Sequence, residues 1–309
     1  MSTLNPTVAG TASAVPTSAG SGPRKTREGQ RKKVSNAIYS VIAVVVFLCS
    51  VFPVYWMINS SFLPTNLIRN KDLTFFPGSS FTLDNYQDAI FNQERAPFLP
   101  AMGNSIMVTF FVLVISMILA FMASLAVTRF NFKGRKAFII AILAVQMIPG
   151  EAMMISIFRI IDGWQLLNSI IGLGIVYLSG VLPFTIWTLR GFVAGVPAEL
   201  EEAAMIDGCS RSKAFWRITF PLLAPGLVAT GVFAFIQAWN EFVMALIIMT
   251  RPESMTLPLW LRTFQQATQA TNWGGLMAGS VLIAIPVVVF FLIVQGRMTG
   301  GLVSGAVKG

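Results

Sequence analysis

The 309 residues are 55% hydrophobic and only 11% charged, with a mean hydropathy of +0.70 and a formal net charge of +9. This apolar excess excludes an ordinary soluble globular domain and indicates a protein embedded in a membrane. The chain has no His, which excludes a Ser-His-Asp catalytic site and removes the commonest metal ligand. Its two Cys, Cys49 and Cys209, fall in different predicted elements, so the sequence predicts neither a disulfide nor a cysteine metal site. No catalytic residue is predicted, because no nucleophile is accompanied by His or by a paired intramembrane Asp as an activating base.

The first 35 residues differ in composition from the rest of the chain. They are rich in Ser, Thr, Ala, Gly and Pro and end in a basic cluster between Arg24 and Lys33. Such a segment cannot bury an apolar core, so we predict a disordered basic tail over residues 1–35. The apolar run behind the charges is too long for a cleavable signal, and no small-residue cleavage site follows it.

Beyond the tail, residues 36–309 are predicted to form one transmembrane domain. Six apolar runs have the length needed to cross a bilayer: 36–60, 101–128, 137–160, 168–190, 222–250 and 275–296. The predicted fold class is therefore an all-α membrane protein with six transmembrane helices. Pro53, Pro149, Pro183 and Pro286 lie within these runs and are expected to kink them, because each removes a backbone hydrogen bond.

The distribution of charge predicts the orientation of these spans. With the N-terminus in the cytoplasm, most of the 22 Lys and Arg fall in the tail, in the segment 129–136 and around the segment 190–217. The positive-inside rule then places both termini and the segment after the fourth span in the cytoplasm. No basic cluster is interleaved with aromatic stacking residues, so the net charge reflects membrane topology and not nucleic-acid binding.

The charged segment between the fourth and fifth spans is predicted to form a helical hairpin outside the bilayer. Pro197 suits a first helical position, and the acidic residues that follow it favour the positive end of a helix dipole. Gly208 is suited to the left-handed residue that ends a helix, and Ser210 can cap the next one. A docking element for a cytoplasmic partner fits this pattern; a surface hairpin without a partner and a DNA-binding helix-turn-helix are the alternatives.

The spacing within this hairpin resembles a known motif. Glu202-Ala203-Ala204, Gly208, Ile218 and, after Phe220, Pro221 follow the order of the EAA loop of ABC-importer permeases. Phe220 stands where that family usually has Leu, which keeps an apolar contact. The loop occupies about residues 197–221.

Other motifs extend the resemblance to carbohydrate-uptake permeases, in particular to the smaller, maltose-type permease subunit. The segments that carry it are Asn104-Ser105, Gln146–Gly150, Leu182-Pro183-Phe184, Phe235–Phe242 and Gly301–Gly309. The resemblance covers about residues 36–309, with a shared core at about 101–296. It implies the type I ABC-importer permease fold in a bacterial cytoplasmic membrane.

The resemblance also implies the partners. Two homologous permeases would form the translocation pathway, an ATP-binding cassette ATPase dimer would receive one EAA loop from each, and an extracytoplasmic sugar-binding protein would deliver the substrate. The chain has no GxxxxGK[ST] loop, so ATP and Mg²⁺ are expected on the ATPase and no cofactor on this chain. The expected ATPase-coupling residues are Glu202, Ala203, Ala204, Met205, Ile206, Asp207, Gly208, Phe215, Ile218 and Pro221.

Polar groups inside the spans are candidates for a substrate path or gate, because each is costly in lipid unless it faces a cavity or a partner. The candidates are Gln146, Tyr177, Gln237, Trp239, Asn240 and Glu241. Amides, carboxylates and aromatic faces suit sugar binding, but the same residues also suit packing between helices. The alternative function is a self-sufficient secondary carrier or channel, which should show inverted repeats and buried charge relays; no strong internal repeat is evident.

Overall fold

A computed structural model describes residues 25–69, 74–92, 96–265 and 271–305, without the side chains of 25–34 and 297–305. The chain divides into two compact units, Met1–Val54 and Tyr55–Gly309. The described residues form helices and turns and contain no strand. The α-helices are α1 Lys25–Ser61, α2 Thr65–Ile68, α3 Asp84–Phe91, α4 Phe98–Arg129, α5 Arg135–Gln146, α6 Met154–Gly163, α7 Ile170–Gly195, α8 Glu199–Ile206, α9 Arg211–Ala214, α10 Phe220–Trp239, α11 Val243–Ile248, α12 Leu257–Leu261 and α13 Trp273–Gly305.

Five helical segments of the described chain are long and apolar enough to cross a membrane. They are Ser35–Ser61, Phe98–Arg129, Ile170–Gly195, Arg211–Trp239 and Trp273–Gly296. The helical residues 135–146 and 150–163 meet the same criteria only as a pair, which is bent by 85° at its break. The predicted all-α membrane fold is confirmed, with five continuous spans and this bent pair at the position of the third predicted span.

The third predicted span, 137–160, is therefore not one continuous helix. α5 ends at Gln146, and the chain resumes helical structure at Gly150. Pro149 explains the break, because it lacks an N–H and forces the preceding residue away from helical geometry. The bend leaves Met147, Ile148 and Pro149 as a corner between two short helices.

The fifth predicted span, 222–250, is also interrupted. α10 ends at Trp239, and α11 begins at Val243 after a three-residue break. The carboxylate of Glu241 accepts hydrogen bonds from the backbone N–H groups of Met244 at 2.8 Å and Ala245 at 3.2 Å. These bonds satisfy N–H groups that a new helix leaves free at its start, so they favour a second helix over continuation of the first.

The first and last helices of the chain, α1 and α13, extend further than the sequence predicted. α1 begins at Lys25, within the segment predicted to be a disordered tail over residues 1–35. Lys, Arg, Gln and Glu are good helix formers, and here they prolong an apolar helix that is already nucleated. Residues 1–24 of the predicted tail lie outside the described residues. At the other end, α13 continues to Gly305, past the predicted limit at 296.

The core is organised around α4 and α7. One face of α4 carries small or hydroxyl-bearing residues at nearly regular four-residue spacing, all buried: Ala101, Ser105, Thr109, Ser116, Ala120 and Ser124. On α7, a Cβ added to Gly174 would lie 2.5 Å from the ring of Phe111 on α4. Small side chains allow helices to approach closely where lipid supplies no hydrophobic drive for association. α10 packs against both helices and against α13.

Candidate functional site

The charged hairpin, residues 197–221, is closed by capping interactions that were predicted from its sequence. Gly208 has a φ of 86°, in the left-handed region. The N–H of Cys209 donates to the carbonyl of Ala204 at 2.9 Å, and that of Gly208 donates to Met205 at 3.1 Å. This pair of bonds is the Schellman arrangement that ends a helix.

The next helix begins as the sequence predicted. The side chain of Ser210 accepts a hydrogen bond from the N–H of Lys213, which caps α9. α8 begins at Glu199, so Pro197 lies before the helix and not at its first position. The charged hairpin is thus one short helix, α8, joined by a sharp turn at Gly208 to a helical segment that continues from Arg211 to Trp239 as a membrane span.

One face of α8 is exposed and combines charge with apolar surface. Glu202, Ala203, Asp207 and Gly208 are exposed, Met205 is 38% exposed and Ile206 is 86% exposed. Ala204 is buried against the rest of the chain. Further along the charged hairpin, Phe215 and Ile218 are half-buried and Pro221 is exposed. An exposed Ile beside an exposed carboxylate is a surface suited to another protein.

Next to this exposed face, α8 carries a half-buried carboxylate, that of Glu201, which the sequence analysis missed. Thr219 Oγ1 donates to Glu201 Oε1 at 2.6 Å, and Arg129 Nη2 lies 3.6 Å from the same oxygen. Arg129 Nη2 also donates to the carbonyl of Val196 at 2.9 Å. The sequence shows that Glu201 lies three residues before Ala204 on the same face of the helix, but only the structure shows that Ala204 is buried.

A groove of about 730 Å³ lies between the charged hairpin and the end of α4. Charged groups of both signs line it together with apolar side chains: Leu125, Arg129, Phe130, Ala198, Glu201, Glu202, Met205, Arg211, Ser212 and Phe215. The ring of Phe121 on α4 contacts Phe215 and Phe220, with centroids 6.1 and 6.0 Å apart. The charged hairpin thus packs on α4 with one face while the other stays exposed.

A second groove, of about 820 Å³, lies beside the two breaks in the spanning helices. It is lined by Val145, Gln146, Ile148, Gly150, Met153, Ile157, Val176, Tyr177, Ser179, Gly180, Val181, Pro183, Phe184, Gln237, Ala238, Glu241 and Met244. The structure therefore brings together four of the six candidate path residues: Gln146, Tyr177, Gln237 and Glu241.

The four polar groups of this groove differ in how they are held. The hydroxyl of Tyr177 donates to the backbone carbonyl of Glu241 at 3.1 Å, and the Glu241 carboxylate caps α11. Gln146 and Gln237 are exposed and line the groove from two different helices. The groove thus places two exposed amide side chains on a mainly apolar surface, beside the buried ring of Tyr177.

Trp239 and Asn240 are placed elsewhere. Trp239 is 2% exposed and stacks on Phe235, with centroids 5.6 Å apart and an interplanar angle of 13°. It belongs to an apolar cluster that includes Trp260 and Phe264, and it does not line the groove. Asn240 is exposed and ends α10. A single-sequence pattern could not show that the ring of Trp239 points away from the groove.

Comparisons with known proteins agree on one family. The model of the binding-protein-dependent transport system inner membrane component family matches residues 113–299. The diacetylchitobiose uptake system permease protein DasC of Streptomyces coelicolor is 46% identical, over 87% of this chain and 96% of its own length. The trehalose transport system permease protein SugB of Mycobacterium tuberculosis is 36% identical, over 88% of this chain and 97% of its own.

A solved structure shares the fold. It is the crystal structure of a bacterial ABC transporter involved in the import of the acidic polysaccharide alginate. One of its chains superposes with a TM-score of 0.71 at 21% identity, and the match covers 89% of this chain and 99% of that chain. The helical architecture described above is therefore shared with a chain of that transporter.

Proposed function

The chain belongs to the family of binding-protein-dependent transport system inner membrane components, and we propose that it forms half of the translocation pathway of an ATP-driven sugar importer. The fold and the family support a transport subunit that crosses the inner membrane several times. The proposal adds the substrate class, the partners and the side of the membrane on which each partner acts.

The exposed face of the charged hairpin is the single observation that carries this proposal. Glu202, Met205 and Ile206 present a carboxylate and two apolar side chains at one end of the helical bundle. A surface of this kind suits insertion into a cleft of a partner that offers a basic group and an apolar wall. The proposed partner is an ATP-binding cassette ATPase in the cytoplasm, and ATP and Mg²⁺ would bind there and not on this chain.

Two further partners complete the proposed transporter. A second homologous permease would supply the other half of the pathway and a second hairpin for the ATPase dimer. An extracytoplasmic sugar-binding protein would dock on the opposite side of the membrane and deliver the substrate. Both termini of this chain would then lie in the cytoplasm, in agreement with its basic segments.

The groove beside the broken helices is the proposed wall of the sugar path. Gln146 and Gln237 supply exposed amides that can donate to and accept from sugar hydroxyls. DasC and SugB carry the names of diacetylchitobiose and trehalose systems, and both of these sugars are disaccharides. A disaccharide or a longer oligosaccharide is therefore the substrate class we propose.

The test is a comparison of charge reversals at the two ends of the bundle. Glu202→Lys would place a second positive charge against the basic group of the ATPase, whereas Asp84→Lys makes the same change on α3, far along the chain from the charged hairpin. The chain would be expressed with its cognate ATPase, second permease and binding protein. Co-purified ATPase and uptake of labelled diacetylchitobiose and trehalose would be measured for each variant.

We expect Glu202→Lys to lower both co-purified ATPase and uptake by about tenfold or more, since breaking a partly desolvated charge pair costs a few kcal/mol. Asp84→Lys should retain ATPase at the wild-type level. Wild-type amounts of ATPase and wild-type uptake in Glu202→Lys would contradict the assignment of the charged hairpin as the docking element. Uptake by the wild-type chain alone in liposomes would favour a secondary carrier.

A further inference from the structure

One carboxylate oxygen joins three elements at the base of the charged hairpin. Glu201 Oε1, in the first turn of α8, accepts a hydrogen bond from Thr219 Oγ1 at 2.6 Å and lies 3.6 Å from Arg129 Nη2. Arg129 is the last residue of α4, and Thr219 immediately precedes α10. The contact therefore ties α8 to the ends of two membrane-spanning helices.

These groups are largely withdrawn from solvent. Thr219 is fully buried, and the side chains of Arg129 and Glu201 are 17% and 16% exposed. Arg129 also donates to the carbonyl of Val196, while its Nε is buried without a hydrogen-bond partner among the described residues. Removing one member of such a set leaves a charge or a donor uncompensated, which costs far more than breaking an exposed pair.

Glu202, one residue further along α8, provides the contrast. Its side chain is exposed and lies on the face that we propose for ATPase docking. Adjacent residues of a helix point about 100° apart, and both carboxylates border the groove beside α4. Glu202 is exposed and open to a partner, whereas Glu201 is half-buried and bonded to Thr219 and Arg129.

The helices held by Glu201 lead directly to the groove beside the broken spans. α10 carries Gln237 near its end, and α4 packs along both α7, which carries Tyr177, and α10. The contacts of Phe121 with Phe215 and Phe220 add a packed aromatic connection at the same base. Packed helices move by small shifts as units, so a displacement of α8 would reach the groove through α4 and α10.

We propose that Glu201 is a positioning residue that couples movement of the charged hairpin to α4 and α10, with Thr219 and Arg129 as its partners. This inference rests on the proposed function and assigns a second role within the same hairpin. Glu202 recognises the ATPase, and Glu201 transmits the displacement that the ATPase imposes. Loss of Glu201 should therefore uncouple ATP hydrolysis from sugar movement without releasing the ATPase.

The experiment uses the complete transporter reconstituted in liposomes, with bound ATPase, ATP hydrolysis and sugar uptake measured in parallel. Glu201→Ala and Thr219→Val should lower the sugar moved per ATP hydrolysed by about fivefold or more, the lower range of coupling between sites. Glu201→Gln keeps an acceptor for Thr219 but loses the charge facing Arg129, so its ratio should fall between those of Glu201→Ala and wild type. ATPase retention should match wild type in all three.

Two control variants separate the hydrogen bond from general effects. Thr219→Ser keeps the hydroxyl, so this variant should move as much sugar per ATP hydrolysed as wild type. If Thr219 served only in packing, Thr219→Ser would be as impaired as Thr219→Val. Glu199→Gln removes an exposed carboxylate from the same helical turn and should also match wild type. Because Glu201 and Thr219 share one bond, the double variant Glu201→Ala/Thr219→Val should be no worse than Glu201→Ala alone.

A wild-type ratio in both Glu201→Ala and Thr219→Val would overturn the inference, as would full additivity of their effects or failure of Thr219→Ser to restore the ratio. Failure of the proposed function has a different signature. In that case the wild-type chain itself would retain no ATPase or would move no sugar.

Discussion

At the scale of single residues, Trp239 shows how an aromatic side chain serves the core of a membrane helix bundle. Its ring lies parallel to that of Phe235, which in turn stacks on Phe290 of α13 with centroids 3.9 Å apart. Its Nε1 is buried and has no hydrogen-bond partner within the described chain. The apolar area therefore stabilises the packing of α10 on α13, and the indole N–H opposes it, since an unsatisfied buried donor carries a desolvation cost.

The first residue-scale prediction separates these two effects. Trp239→Ala removes the ring and leaves a cavity, so we expect a loss of stability of about 3–5 kcal/mol. Trp239→Phe keeps an aromatic ring and removes the unpartnered N–H, so it should stay close to the wild-type stability. Thermal denaturation of the purified protein and the amount of assembled transporter would be measured. Wild-type stability of Trp239→Ala would show that the ring is not part of the core.

Local geometry was predictable from sequence at this scale, and side-chain direction was not. The roles of Gly208 and Ser210 depend on a few neighbouring residues, so a turn and a cap could be predicted from residue type and spacing alone. The inward direction of Glu201 and the burial of Trp239 depend on which helices pack against them. That information lies in the tertiary structure, so Glu201 was missed and Trp239 was grouped with the path residues.

At the scale of elements, the two interrupted spans have a common location. The break after Gln146 and the break after Trp239 both border the 820 Å³ groove, through Ile148 and Gly150 on one side and Glu241 on the other. Non-helical backbone is tolerated at membrane depth where it is buried in protein or lines a cavity. Pro149 made the first helix break predictable from the sequence. The second lacks Pro and Gly, and its signal is the pair Asn240-Glu241, which suits a helix end and a new helix start.

The element-scale prediction concerns the carboxylate that starts α11. Glu241→Ala removes the acceptor for the N–H groups of Met244 and Ala245, so we expect the first turn of α11 to lose roughly 1 kcal/mol. Hydrogen exchange measured by mass spectrometry should then be several-fold faster in the peptide that contains these amides.

Two variants serve as controls for this change. Glu241→Gln retains an acceptor oxygen and should show a smaller increase in exchange. Tyr177→Phe removes a bond to the backbone carbonyl of Glu241 and leaves the carboxylate in place, so α11 should exchange as in wild type. Unchanged exchange in Glu241→Ala would mean that the cap does not hold this helix.

At the scale of the whole molecule, the basic segment that follows α4 and the charged hairpin lie on the same side of the helix bundle. α4 ends at Arg129 and α7 ends at Gly195, and Arg129 contacts both Val196 and Glu201. The ends of these two spans and the charged hairpin therefore share one side of the bundle. Lys133, Arg135 and Lys136 follow α4 on the same side. Charge asymmetry then predicts that this side faces the cytoplasm.

Cysteine labelling provides the test of this orientation. In a background with Cys49 and Cys209 replaced by Ala, single cysteines would be introduced as Lys133→Cys and Asp84→Cys. Both native side chains are exposed, so access of a reagent is limited by the membrane and not by protein packing. A membrane-impermeant maleimide added to intact cells should label position 84 and leave position 133 unlabelled, and permeabilised cells should show both. Labelling of position 133 with protection of position 84 would reverse the orientation and would place the charged hairpin out of reach of a cytoplasmic ATPase.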